Sequence, residues 1–156
     1  MIFLVTLLIS TLFNENRYAK VFGYSFFEVE SYSMYPELTK GDLVVVKKRE
    51  SFEYEVGMVV TYICPTDSIP TTHKIVQIDG NIITTRGINE VTNTSDDTPF
   101  DVKCIIGEVV TVWYGYSKTK DFITNPFGVL IILLTGFLLL EGFNLLEDSF
   151  MKKEKW

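Results

Sequence analysis

The middle of the chain alternates short apolar runs with turn residues, a pattern typical of β-strands. Four such runs follow one another: LVVVK, MVVTYI, HKIVQI and NIITTR. Each is rich in β-branched residues and is bounded by glycine or aspartate, which indicates strands separated by turns. After a polar stretch from Asn89 to Thr98, the run CIIGEVVTVWY indicates a further strand. We therefore predict a mainly β domain over residues 22–120.

Two glycines refine this picture. Asp79-Gly80 separates HKIVQI from NIITTR and readily takes the positive φ angles of a tight turn, so it predicts a β-hairpin with His73 on its first strand. Gly107 interrupts the last apolar run, where a strand glycine marks a bulge or a close approach of another backbone.

A longer apolar stretch predicts a membrane span near the C-terminus. Residues 127–146 contain one charge, and as a helix they reach about 30 Å, the thickness of the hydrocarbon core. Asn125-Pro126 is a helix-start signal, so we place the span at residues 126–147. The lysine-rich tail, residues 148–156, then lies in the cytoplasm and the β domain on the extracytoplasmic side. The alternative is a buried helix of a soluble protein.

The N-terminus is also apolar but shorter. Its first thirteen residues, MIFLVTLLISTLF, reach about 20 Å as a helix, which is too short to span a bilayer alone. A cleavable signal peptide is the other interpretation, but there is no basic residue before the run and no small-x-small site after it. We predict a membrane anchor within residues 1–20, with an ambiguous start.

Composition excludes several classes of protein. The chain has 156 residues, 47% of them hydrophobic, and a net charge of −6, which fits one domain plus membrane-embedded chain. An acidic chain without a basic cluster argues against nucleic acid as a partner. One histidine and two distant cysteines, Cys64 and Cys104, do not make a metal site. The two cysteines fit a disulfide and a pair of buried thiols equally well.

Candidate chemistry rests on one serine, the single histidine and an acidic pair. A serine hydroxyl becomes a good nucleophile only when an imidazole accepts its proton, and a carboxylate usually holds that imidazole in the right tautomer. Ser33 stands in SYSMYP and His73 in TTHKIV, while Asp96 and Asp97 supply carboxylates.

These segments, in their order and spacing, resemble the type I signal peptidases, especially the branch of archaea, the endoplasmic reticulum and some Gram-positive bacteria. The resemblance covers most of the chain: SYSMYP with GDLVVV, then VGMVVTY leading to THKIV, then TRGINE leading to the acidic pair. It implies a signal-peptidase-like β-domain with flanking membrane helices. It also implies a serine endopeptidase that removes signal peptides from exported preproteins at the outer face of the cell membrane. Its partners would be preprotein signal peptides, the lipid bilayer and the translocon, and no cofactor is implied.

The resemblance assigns roles to individual residues. Ser33 would be the nucleophile, and Met34 would pack beside the substrate. Ser31 would help the backbone N–H of Ser33 to form the oxyanion hole. His73 would be the base where bacterial relatives use a lysine. Lys74 is its neighbour, but adjacent residues of a strand project to opposite faces, so only one of the two should face Ser33.

Two segments depart from the family pattern. The usual Gly-Asp-Asn-Asn reads Gly87-Ile88-Asn89-Glu90, and the following segment is about two residues longer than usual. The family's segment ends in Asp-x-x-Pro, which Asp96 and Pro99 match. The resemblance therefore favours Asp96 over Asp97 as the third catalytic residue. Tyr32 replaces a usual glycine, which would distort the oxyanion site if that position required a backbone angle closed to tyrosine.

Two other functions remain open. A catalytically inactive membrane adaptor that retains the fold is the main alternative, and the altered GINE and SYSM segments favour it. A self-cleaving serine–lysine protease of the repressor type shares a related β-fold, but such proteins lack a membrane span.

Overall fold

The computed structural model describes residues 19–64 and 69–153. The chain divides into two compact units, with the boundary between Ser117 and Lys118. Most of the predicted N-terminal anchor, residues 1–20, lies outside the described residues. Ala19 and Lys20 are described, and they begin the first strand rather than ending an anchor.

The first unit is mainly β, as predicted. Its described residues form one antiparallel sheet of eight strands in the order β1-β2-β3-β8-β4-β5-β6-β7. The strands are β1 (Ala19–Val21), β2 (Tyr24–Glu28), β3 (Leu43–Lys47), β4 (Val59–Tyr62), β5 (Thr71–Asp79), β6 (Ile82–Arg86), β7 (Phe100–Asp101) and β8 (Ile105–Trp113). Two short 3-10 helices, Ser51–Glu53 and Val102–Cys104, lie between strands.

The five strands predicted from apolar runs are confirmed as β3, β4, β5, β6 and β8. The hairpin is confirmed as well, since Asp79 pairs with Ile82 and Gly80 has a φ of 58°. Strands β2 and β3 alternate between buried and more exposed residues, as strands with one covered face do.

The sheet carries two hydrophobic cores. The first, named the β4–β7 core, consists of Tyr54, Val60, Tyr62, Ile75, Ile83, Phe100, Val102 and Ile105. The second, named the β2–β3 core, consists of Phe27, Met34, Leu38, Val44 and Val46. Met34 and Leu38 come from the segment between β2 and β3, so burial of their side chains holds that segment on the sheet.

Strand β8 lies between β3 and β4 and pairs with both. Its register shifts on each side, opposite Val45/Val46 of β3 and opposite Thr61/Tyr62 of β4. A Cβ atom at Gly107 would overlap the Lys47 backbone, including its carbonyl oxygen. Both expectations for Gly107 are therefore met, because it lies beside a β-bulge and permits a close backbone approach.

Two helices follow the sheet, α1 (Tyr116–Thr124) and α2 (Pro126–Lys153). Helix α2 begins at the predicted proline, and the Asn125 side chain accepts a hydrogen bond from the Phe127 N–H at 2.9 Å. Residues Pro126–Leu145 have a mean hydropathy of 2.1, are 6% buried and are long and apolar enough to cross a membrane. The helix continues to Lys153, so most of the predicted tail, residues 148–156, is helical.

We expect Gly107→Ala to destabilise the sheet by at least about 2 kcal/mol, because the new methyl group meets rigid backbone rather than a movable side chain. Gly80→Ala is the control: nothing lies near its Cβ position, and only its left-handed backbone is strained, at a cost of about 1–2 kcal/mol. Thermal unfolding of both variants in detergent measures the difference. Equal melting temperatures would contradict the close contact at Gly107.

Candidate functional site

Three adjacent strands each direct one side chain to the same carboxylate oxygen. Oδ2 of Asp97 accepts hydrogen bonds from the Tyr62 hydroxyl at 3.1 Å, from His73 Nδ1 at 2.6 Å and from the Thr85 hydroxyl at 2.6 Å. Tyr62 lies on β4, His73 on β5 and Thr85 on β6. All three are buried residues on their strands, so Asp97 is bound to the covered face of the sheet.

The contact with Asp97 determines how the His73 ring is protonated. An ionised carboxylate can only accept hydrogen bonds, so Nδ1 of His73 must carry the proton. In the neutral ring Nε2 then carries the lone pair and can act as a base. The His73 residue is 7% exposed, which holds the imidazole in one orientation.

Hydrogen bonding keeps the Asp97 carboxyl ionised despite its burial. Burial alone would raise its pKa, but the hydrogen bonds from His73 and Thr85 outweigh that effect, so the pKa lies below its usual value. Burial raises the pKa of the Tyr62 phenol, and the nearby Asp97 charge adds to the rise. Tyr62 therefore remains protonated and donates to the carboxylate at neutral pH.

Asp97, and not Asp96, occupies the position beside His73. Asp96, the favoured third residue in the sequence, forms an ion pair with Arg86 instead. The backbone explains the difference, because the N–H of Asp97 donates to the Thr85 carbonyl at 2.9 Å and sets that residue directly against β6. The structure therefore places the alternative, Asp97, in contact with His73.

Ser33 lies in the segment between β2 and β3, beside Ser31. The two hydroxyl oxygens are 3.1 Å apart, and the Ser33 N–H donates to the Ser31 hydroxyl at 3.4 Å. Ser31 thus contacts both groups of Ser33 that acyl transfer would use, the hydroxyl and the backbone N–H. Within the described residues the Ser33 hydroxyl bonds to Ser31 and not to His73.

Ser33 and His73 nevertheless line the same cleft, which has a volume of about 610 Å³. Residues 26–31, which include β2 and the segment after it, form part of its wall, and residues 69–73 at the start of β5 form another. Met34 also lines the cleft but is only 1% exposed and belongs to the β2–β3 core. Its main effect is to anchor the serine segment to the sheet.

Tyr32 does not distort this segment. Phe22 is the one non-glycine residue with a positive φ among the described residues, so position 32 has a backbone angle that tyrosine adopts without strain. The Tyr32 side chain is exposed, and its carbonyl accepts two hydrogen bonds. The proposed requirement for glycine at this position therefore does not apply to this chain.

Lys74 points away from the cleft, as alternation along β5 predicts. Its ammonium group donates to Glu37 at 2.7 Å, and both side chains are partly exposed. The side chain lines a separate, smaller cavity of about 250 Å³. Of the two candidate bases, His73 lines the cleft with Ser33 and Lys74 does not.

The sequence did not reveal Tyr62 and Thr85 as members of the site. Both lie at buried positions of the two strands that flank β5, and both carry a hydroxyl group where most neighbouring buried side chains are apolar. A buried polar residue needs a partner, so a threonine and a tyrosine at core positions beside His73 were the available signal.

The two cysteines lie outside the site. Cys64 and Cys104 are separate thiols that pack against the β4–β7 core. In residues 19–64 and 69–153, no group of three histidine, cysteine or acidic side chains is placed to hold a metal ion.

Acid should weaken the contribution of Asp97 to stability. Its folded pKa is depressed, so the stabilisation is complete above the unfolded value, about 3.9, and disappears as the pH falls through the folded value. We expect the gap in unfolding free energy between the wild type and Asp97→Asn to be wide at pH 6 and to shrink below about pH 4. Denaturant titrations across this range measure it.

Asp96→Asn is the matched control, because Asp96 lies in an exposed ion pair that contributes little to stability. It should differ little from the wild type at any pH. A gap for Asp97→Asn that stays constant from pH 6 to pH 3 would contradict an ionised, hydrogen-bonded Asp97.

Comparison with known proteins assigns no family. No protein-family model matches the chain, and no curated protein matches its sequence significantly. The function must therefore be inferred from the Ser33, His73 and Asp97 geometry together with the sequence motifs.

Proposed function

We propose that this protein is a membrane-anchored serine endopeptidase of the type I signal peptidase class, with Ser33 as nucleophile, His73 as base and Asp97 as the residue that orients the base. The observation that carries the proposal is the hydrogen bond from His73 Nδ1 to Asp97, on a histidine that shares a cleft with Ser33. The carboxylate is itself held by Tyr62 and Thr85, so it fixes the histidine ring in the tautomer that a base requires.

The reaction would proceed through an acyl-enzyme. Nε2 of His73 accepts the Ser33 proton as the hydroxyl oxygen attacks the scissile carbonyl, and the Asp97 carboxylate stabilises the imidazolium that forms. The imidazolium returns the proton to the leaving amine, and Nε2 then activates the water that hydrolyses the ester. A serine–base hydrogen bond often forms only when the substrate is in place, which is compatible with the Ser33–Ser31 contact observed.

The cleft suits an extended peptide. Its two walls, residues 26–31 and 69–73, continue strands β2 and β5, so they can offer backbone groups to a peptide lying between them. Apolar side chains also line the cleft, among them Phe27, Met34 and Leu38. Both features favour an uncharged, extended segment, as precedes the cleavage site of a preprotein.

Helix α2 supports a location at the membrane. Its apolar stretch, Pro126–Leu145, matches the hydrocarbon thickness in length, since twenty helical residues span about 30 Å. Anchoring would raise the effective concentration of the enzyme around signal peptides that emerge at the same surface. The catalytic unit would then lie on the extracytoplasmic side of the cell membrane.

Cleavage should depend on both reacting residues. In membranes that contain the full chain, Ser33→Ala and His73→Ala should each lower the rate of cleavage of a model preprotein by about 10³-fold or more. Lys74→Ala is the control, because Lys74 pairs with Glu37 away from the cleft, and it should retain activity within about twofold of the wild type. Immunoblotting verifies equal membrane abundance.

Two outcomes would count against the peptidase, and a third would change only the identity of its base. A wild type inactive on several preproteins, or variants as active as the wild type, would favour the inactive adaptor. A loss of activity in Lys74→Ala with retention in His73→Ala would indicate a lysine base.

The two neighbouring aspartates should differ sharply in their effect on catalysis. Asp97→Asn places an amide N–H against His73 Nδ1, which favours the wrong tautomer and should lower kcat by up to about 10⁴-fold. Asp96→Asn removes an exposed ion pair with Arg86 and should leave kcat unchanged. Single-turnover cleavage assays compare the two. A larger loss for Asp96→Asn would restore Asp96 as the third catalytic residue.

A further inference from the structure

The segment after β6 holds the backbone on both sides of the Ser33 N–H. The side-chain N–H of Asn89 donates to the Tyr32 carbonyl at 2.8 Å, and the backbone N–H of Asn89 donates to the Ser33 carbonyl at 2.9 Å. The Asn93 side chain donates to the same Ser33 carbonyl at 2.9 Å. Two asparagines therefore fix two successive carbonyl groups of the nucleophile segment.

The orientation of both amides is unambiguous. The acceptors are backbone carbonyl oxygens, which cannot donate, so the side-chain nitrogens and not the oxygens must face them. The Asn89 side-chain oxygen in turn accepts from the Val91 N–H at 3.1 Å. Asn93 packs so tightly against Gly87 that a Cβ atom there would overlap its amide. The segment from Gly87 to Asn93 is therefore a well-ordered clamp, which we name the asparagine clamp.

Peptide planarity transmits the Asn89 contact to the oxyanion site. The Tyr32 carbonyl and the Ser33 N–H belong to one peptide unit, which is planar and places them on opposite sides. A donor that holds the Tyr32 oxygen therefore also aims the Ser33 N–H away from the clamp. That N–H has a single long contact among the described residues, at 3.4 Å to Ser31. It is therefore available to a stronger acceptor in the same direction.

We propose that Asn89 is a positioning residue that aims the Ser33 N–H at the oxyanion of the tetrahedral intermediate, by holding the Tyr32 carbonyl. The inference rests on the proposed function, since it assumes that Ser33 is the nucleophile. A hydrogen bond to the carbonyl also polarises the peptide and strengthens its N–H as a donor. Asn93 supports the same segment one peptide further on, through the Ser33 carbonyl.

The Asn89→Asp variant removes the hydrogen bond to the Tyr32 carbonyl while it keeps the contact that orders the loop. The aspartate keeps an oxygen for the Val91 N–H but cannot donate to the Tyr32 carbonyl. Removing one oxyanion donor typically costs about 10²–10³-fold in rate, so misaiming it should lower kcat by about 10- to 100-fold with KM within about twofold. Asn81→Asp is the control, because it makes the same chemical change at an exposed hairpin residue that accepts a hydrogen bond from the Val102 N–H through its backbone carbonyl.

Two further measurements exclude a merely structural effect. The melting temperature of Asn89→Asp should stay close to that of Asn81→Asp. A peptide boronate ending in alanine, whose boron forms a bond to the Ser33 oxygen and becomes tetrahedral, should bind Asn89→Asp more weakly by the same factor as kcat falls. An uncleaved peptide of the same sequence should bind the wild type and Asn89→Asp equally, since it carries no developing negative charge.

Each outcome decides one or both proposals. A wild type that requires Ser33 and an Asn89→Asp variant with unchanged kcat would overturn the role of Asn89 and leave the peptidase intact. The role of Asn89 would also be overturned if Asn89→Asp only raised KM or only reduced stability. In that case kcat, and the ratio of boronate affinity to peptide affinity, would equal the wild-type values. A wild type that cleaves no preprotein but binds the boronate more tightly than Asn89→Asp would overturn the signal-peptide assignment alone. A wild type that neither cleaves nor binds the boronate would overturn both.

Discussion

Strand β8 joins the two parts of the sheet that carry the candidate nucleophile and base. Ser33 lies between β2 and β3, whereas His73 lies on β5, and among the described strands only β8 pairs with both β3 and β4. Its side chains contribute to both cores: Ile105 packs in the β4–β7 core, while Ile106, Val109 and Val112 pack against the β2–β3 core. The cleft between Ser33 and His73 therefore depends on a strand that contributes no residue to it.

The second constraint is electrostatic. Burying a carboxylate is costly unless it is hydrogen-bonded, and Oδ2 of the partly buried Asp97 accepts one donor from each of three adjacent strands. The arrangement works in both directions. The strands stabilise the charge, and the charge fixes the His73 ring and its tautomer. Because β4, β5 and β6 also supply half of the β4–β7 core, hydrophobic packing and the polar network stabilise the same strand register.

The strands were predictable because alternation of apolar and polar residues is a local property that survives in the fold. The Asp79-Gly80 turn and the start of helix α2 at Pro126 were predictable for the same reason. Strand β1 was not, because Ala19–Val21 has only three residues, too few for alternation to be recognised. It pairs with β2 in a hairpin whose turn, Phe22-Gly23, has positive φ at both residues, and phenylalanine is not a residue that signals such a turn.

The candidate site also contains some residues that local sequence predicts and others that it does not. Ser33 and His73 stand in recognisable segments, and both line one cleft. The choice between Asp96 and Asp97 depended on which backbone N–H meets the Thr85 carbonyl, and two consecutive aspartates fit the spacing equally well until that bond is known. Tyr62, Thr85 and the asparagine clamp act through contacts between segments distant in sequence, so no local motif pointed to them.

The segment between β6 and β7 connects these constraints, since it binds both the segment of the candidate nucleophile and the candidate base. Near its start, Asn89 and Asn93 bind the Ser33 backbone, and Ile88 packs against the β2–β3 core, which lies on the serine side of the sheet. Near its end, Asp97 binds His73. Ile88 stands where the resembled family has an aspartate, so this position supplies apolar anchorage here instead of charge. Any change in the length of this segment must therefore preserve two attachments, one to each side of the cleft, and this requirement restricts its variation more than the contact of Asp97 with His73 alone would.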